Sequence, residues 1–143
     1  MIKNLAIAIA LITTLAAVHA CNSDDDNEVY NASIAASNVR VTKFSLAEDD
    51  SVLVALDSVY FSIDLMNASI FNADSLPVGT DVRKLVAKIS YGAVSEAEIT
   101  FKRADMTDSV FDYLNHSTDS IDFSNGPAKL RLVSSDGKAE RTY

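Results

Sequence analysis

Apolar residues run along this chain in two different ways. From Leu5 to Val18 they are continuous, 14 residues interrupted only by Thr13 and Thr14. From Val39 onward they mostly alternate with polar residues, the period of a half-buried β-strand rather than of a helix. Val39-Arg40-Val41 alternates, then slips phase at Lys43 so that Phe44 and Leu46 fall together, which predicts a β-bulge. Val59 to Leu65 predicts a strand with Val59, Phe61, Ile63 and Leu65 on one face. Ser69 to Asn72 predicts a short partner strand. Leu76-Pro77-Val78-Gly79 is turn chemistry, after which Thr80 is expected to N-cap one helical turn over Asp81 to Leu85.

Strand character returns at Val86 to Tyr91 and again at Glu96 to Lys102, where Ala97, Ile99 and Phe101 face inward. Residues 103–120 are polar and without a clear period, and Phe111, Tyr113 and Leu114 are expected to pin them to the core. Ile121-Asp122-Phe123 predicts a short strand that Asn125-Gly126-Pro127 ends. Ala128 to Val133 alternates, with Leu130 and Leu132 inward and Lys129 and Arg131 outward. Asp136-Gly137 then predicts a hairpin turn, and Ala139 to Tyr143 the returning strand. Short strands at roughly ten-residue spacing predict an all-β fold, a β-sandwich. The alternative is a small α+β domain with a helix near residues 104–115.

The first apolar run has another purpose. Met1 to Asn4 carries one charge, Lys3, and the run that follows is shorter than the roughly 20 residues a membrane-spanning helix needs. A charged start, a short apolar core and a small residue at the end mark a secretory signal peptide over residues 1–20. The chain's single cysteine, Cys21, comes next. Val18-His19-Ala20-Cys21 resembles the lipobox of bacterial lipoproteins, with His19 an unusual second residue. The resemblance implies cleavage between Ala20 and Cys21, a thioether-linked diacylglycerol on Cys21 and acylation of the new amine. A thiolate is the nucleophile such a step needs. Two or three acyl chains, each buried CH₂ contributing ~0.8 kcal/mol, hold a protein at a membrane.

Residues 21–38 are small and polar and are expected to form a lipidated flexible tether ahead of a module spanning 39–143. Ser23-Asp24-Asp25-Asp26 resembles the acidic export signal of Bacteroidetes surface lipoproteins. That resemblance implies display on the outer face of the outer membrane, and the lipoprotein processing and export machinery as partners. Read without it, the run is a solvated acidic linker.

Composition narrows the choices. Residues 1–20 hold Lys3 and no acid, so the remaining 123 residues carry 11 basic and 20 acidic side chains, a formal charge of −9. This excludes nucleic acid, whose recognition rests on basic patches. With its one cysteine acylated the domain has no disulfide, and its stability rests on packing.

Catalytic chemistry is thinly represented. His116 is the sole histidine after the signal, in an exposed Asn115-His116-Ser117-Thr118 turn. There is no Gly-x-Ser-x-Gly elbow, no HExxH helix and no glycine-rich phosphate loop; the whole chain has four glycines. Acidic residues are many, yet none has EF-hand spacing, and a solvated face is the better reading than a calcium site. No metal or cofactor is expected. Asp-Ser-aliphatic occurs five times, at Ser51, Ser58, Ser75, Ser109 and Ser120. It resembles the O-glycosylation acceptor of Bacteroidetes extracytoplasmic proteins, while its local reading is a turn that starts the next strand.

Thr42-Lys43-Phe44, Phe71 to Asp81, Ser120 to Ser124 and Asp136-Gly137 through Arg141-Thr142-Tyr143 resemble the N-terminal immunoglobulin-like module of Bacteroidetes lipoproteins. That family is catalogued only as a domain of unknown function, of the DUF6242 type. The resemblance implies a larger β-propeller-like region beyond the module and a last strand running past Tyr143, which is expected to pair incompletely here. The expected function is therefore a lipid-anchored, non-catalytic binding or spacer module, with a glycan, host polymer or protein as its ligand. The alternative is the N-terminal piece of a larger lipoprotein or enzyme whose functional region lies downstream.

Overall fold

The computed structural model describes residues 34–143. Nine strands follow in order: β1 (Val41–Leu46), β2 (Ser62–Asp64), β3 (Ser69–Phe71), β4 (Leu85–Tyr91), β5 (Val94–Lys102), β6 (Asp108–Asp112), β7 (Ser120–Ile121), β8 (Lys129–Ser134) and β9 (Glu140–Thr142). All pairings are antiparallel. They build a three-stranded sheet β1-β4-β7, a four-stranded sheet β6-β5-β8-β9 and a separate β2-β3 hairpin. The two larger sheets pack face to face as a sandwich. Val41, Ala87 and Ile121 come from one, and Ala97, Ile99, Leu130 and Leu132 from the other. Leu46, Leu56 and Leu85 form a smaller apolar cluster at one end. Among the described residues no helix is long and apolar enough to cross a membrane.

The alternation read along the chain holds where it was strongest. Val41 faces Tyr91 and Lys43 faces Ser90, a slip in register that is the bulge expected at Lys43. Leu130 and Leu132 are buried while Lys129 is exposed and Arg131 half-buried. Ser134 N–H and O close the last hairpin, and only Gly137 in it takes a positive φ, 70°. Tyr143 pairs with Leu130 through both backbone bonds, at 2.9 and 3.0 Å, so pairing with β8 continues one residue past β9.

Elsewhere local chemistry overrides the pattern. The strand expected over Val59 to Leu65 shrinks to Ser62–Asp64. Before it, Ala55 in the left-handed region opens a 3₁₀ turn at Leu56–Ser58. After it, the Asp64 carboxylate accepts the N–H groups of Met66 and Asn67 and bends the chain away, leaving Leu65 exposed. No helix forms over Asp81 to Leu85. Gly79, at φ 92°, closes a turn in which Thr80 donates both its N–H and its hydroxyl to Pro77 O. Asp81 then caps Arg83 N–H and β4 starts at Leu85.

Residues 104–115 hold β6, not a helix, paired with β5 from Glu98↔Asp112 to Lys102↔Asp108. Tyr113 is buried and Phe111 half-buried, but Leu114 is exposed. The tether expected to reach Asn38 also ends early. Residues 34–38 form a helical turn with Ala35 buried, and Gly92 N–H donates to Asn38 O at 3.1 Å.

Candidate functional site

Cys21, Ala20 and Ser23-Asp24-Asp25-Asp26 lie outside the described residues, so no geometry is attached to them. The five Asp-Ser-aliphatic serines fall in unlike settings. Ser51, Ser58 and Ser75 are exposed in turns and loops, Ser75 with φ 61°. Ser120 is exposed in β7, opposite Val86. Ser109 is half-buried within β6, its hydroxyl accepting from Arg103 Nη2 at 3.2 Å. Structure therefore does not bring these residues together.

Nor do the acids converge. Among the described residues no three His, Asp, Glu or Cys side chains gather as a metal site. Most aspartates serve their own turns instead. The Ser51 hydroxyl and N–H bind the Asp49 carboxylate and hold it below the ordinary range. Thr107 does the same to Asp105, Ser124 to Asp122 and Ser134 with Lys138 N–H to Asp136. His116 Nδ1 lies 3.5 Å from Asp119 Oδ2, both exposed.

Among the described residues two concavities stand out. One, about 230 Å³, lies beneath the β2-β3 hairpin and is lined by Phe44, Phe61, Phe71, Phe123 and aliphatic neighbours. It is an apolar gap at the edge of the core. Asn72 is among its lining residues; Nδ2 donates to Tyr60 O, while Oδ1 is shut from solvent without a partner among the described residues.

The other, about 690 Å³, lies on the solvent face of β1 and β4. Its floor comes from two strands with one pattern, Lys43-Phe44-Ser45-Leu46 and Lys88-Ile89-Ser90-Tyr91. Antiparallel pairing sets Lys43 opposite Ser90 and Ser45 opposite Lys88. Phe44 and Ile89 point to the core, so the two lysines and two serines share the outer face. Leu114, Ser117 and Thr118 form a wall.

Tyr113 holds that wall in place. Its hydroxyl accepts from Ile89 N–H and donates to Ala87 O, each at 3.0 Å. These groups lie two residues apart on a β4 edge that β7 covers only at Leu85 and Val86. The phenol thus stands where a neighbouring strand would bond, and burial raises its pKa and keeps it a donor. The repeated Lys-x-Ser-x pattern was visible in the sequence. Its meaning was not, because only the pairing of residues 44 and 89 puts the two copies on one face.

Compared with known proteins, residues 32–143 match the model of the domain of unknown function (DUF6242) N-terminal domain. No curated protein and no solved structure matches the chain.

Proposed function

Since the chain belongs to the family of the DUF6242 N-terminal domain, we propose that it is a lipid-anchored, surface-displayed module with a non-catalytic binding or spacer role. Cys21 is the acyl acceptor, Ala20 the last residue of the removed signal, and Ser23-Asp24-Asp25-Asp26 the export signal. The lipid is that of the outer membrane, and the protein faces the cell exterior. The observation that carries the reading is the order along the chain: an apolar run ending in Val18-His19-Ala20-Cys21, three aspartates, then a domain whose first described element starts at residue 34.

An immunoglobulin-like character and a place among Bacteroidetes surface lipoproteins belong to the same proposal. The three- and four-stranded antiparallel sheets support the first. If the acceptor motif is used, the exposed turn serines Ser51, Ser58 and Ser75 are the best acceptors, because a glycosylating enzyme needs a peptide it can reach. The ligand class in this proposal is a glycan, a host polymer or a protein. The family model is described as an N-terminal domain, which supports a second reading: the module is a spacer that presents a downstream region.

Two substitutions test the proposal. Cys21→Ser removes the acyl acceptor, so the protein leaves the detergent-soluble membrane fraction. Changing Asp24, Asp25 and Asp26 to Ala keeps the lipid but hides the protein from protease added to whole cells. A Cys21→Ser protein that stays in the membrane fraction contradicts the anchor, and unchanged surface cleavage of the triple variant contradicts the export signal.

A further inference from the structure

We propose that the concavity over β1 and β4 is a binding site for a sulfated or otherwise oxyanionic saccharide. The inference rests on the binding half of the function proposed above and supplies the ligand class that half leaves open. Three observations carry it.

The first is charge. The chain has a formal charge of −8, yet among the described residues no carboxylate lines this concavity and two ammonium groups floor it. Lys43 and Lys88 are diagonal neighbours across an antiparallel pair, which sets their Cα atoms about 7–8 Å apart. Elsewhere Arg83, Lys102 and Arg131 are each paired with acids, while Lys84, Lys129 and Lys138 have no ion-pair partner among the described residues. Neither Lys43 nor Lys88 has a carboxylate partner among the described residues. An oxyanion seated between them accepts from both ammonium groups, a charge-assisted pair of bonds.

The second is the hydroxyl set. Ser45 and Ser90 alternate with the lysines on the floor, and Ser117 and Thr118 stand on the wall. A hydroxyl both donates and accepts, so four of them around an anion suit a ligand that carries hydroxyls of its own. A bare inorganic ion would need donors alone.

The third is size and rigidity. About 690 Å³ falls in the range of small-molecule sites and is more than a single ion fills. The floor sits on two paired strands, and the wall is tied to β4 by the Tyr113 hydroxyl. Residues held on strands keep their positions better than residues on loops.

The test is calorimetric titration of the full chain in neutral detergent micelles at low salt, with sulfated lactose, lactose and inorganic sulfate. Sulfated lactose is expected to bind at least about tenfold more tightly than either half, since each half uses only one set of contacts. Lys43→Gln and Lys88→Gln are each expected to weaken it about tenfold, because each removes one charge-assisted bond. Lys129→Gln, on β8 and away from this face, leaves it unchanged. An unchanged melting temperature for each variant shows that the fold is kept. Equal affinity for sulfate and sulfated lactose overturns the saccharide assignment. Binding that survives both lysine substitutions, or no binding by the wild-type chain, overturns the site. The acyl mass on Cys21 is measured separately, so an acylated chain that fails to bind overturns this inference and leaves the anchor standing.

Discussion

Val41 N–H donates to the phenol oxygen of Tyr143 at 3.1 Å, joining residues 102 apart in the chain. The same hydroxyl donates to Val39 O at 3.2 Å. The residue just after β9, bonded to Leu130 of the four-stranded sheet, thus fastens the entry to β1 on the other sheet. Tyr113 does the same for Ala87 O and Ile89 N–H. In both cases a hydroxyl bonds a carbonyl and the N–H two residues on, as a residue of an adjacent strand would.

Tyr143→Phe and Tyr113→Phe each leave a shielded backbone donor and acceptor without a partner. The expected cost is about 1–3 kcal/mol apiece, a fall in melting temperature on the order of 4 °C per kcal/mol. Thermal denaturation of the single variants checks this. A Phe variant that melts with the wild type would show that water replaces the phenol at no loss.

Gly92 is required for space rather than for its φ. A Cβ there would lie 2.6 Å from Asn38 Cα and 2.8 Å from Asn38 O, both backbone atoms that cannot swing aside. Gly92→Ala is expected to destabilise the domain by about 1–3 kcal/mol, the range of overpacking. Urea titration should show a lower midpoint at unchanged slope.

Ala55 and Ala68 are the opposite case, alanines at φ 59° and 48° where a Cβ is strained. Ala55→Gly and Ala68→Gly should each raise stability by roughly 0.5–1 kcal/mol after the loss in chain entropy is counted. Gly79 and Gly137 already meet that need in their own turns.

Acid sensitivity follows from the turns. Asp49, Asp64, Asp105, Asp122 and Asp136 all have pKa values lowered by hydrogen bonds from neighbours within three residues. A lowered folded pKa contributes stability that is fully present above the unfolded value of about 4. That stability is lost as pH falls through the lower folded values. Melting temperature should hold between about pH 6 and 5 and drop below about pH 4. Asp49, Asp105 and Asp136 are exposed and Asp64 and Asp122 half-buried at the surface, so solvent screens each contribution and keeps it small. The loss should be spread over the five sites, and a single Asp105→Asn should blunt it only slightly.

Much of the fold could be read from the sequence because its longer strands bury one face. The slip at Lys43, β4, β5 and β8 all showed period two. β6 escaped notice because Val110 is exposed and Ser109 shares the inner side with Phe111, so burial does not follow hydrophobicity there. Val59 to Leu65 misled in the opposite sense. Its alternation is clean, but the left-handed Ala55 and the Asp64 turn cut it to three residues. Thr80 looked like a helix cap because a threonine before an aspartate suits one, yet its hydroxyl turns back to Pro77. The Lys-Ser floor was spelled out twice in the sequence, but its register depends on a pairing across 45 positions.

Mass measurement of the N-terminal peptide of the protein purified from its native membranes tests the anchor most directly. A peptide beginning at Cys21 that carries a diacylglyceryl thioether and an amide-linked acyl chain is the expected result. An unmodified peptide that runs unbroken through Ala20-Cys21 would contradict it.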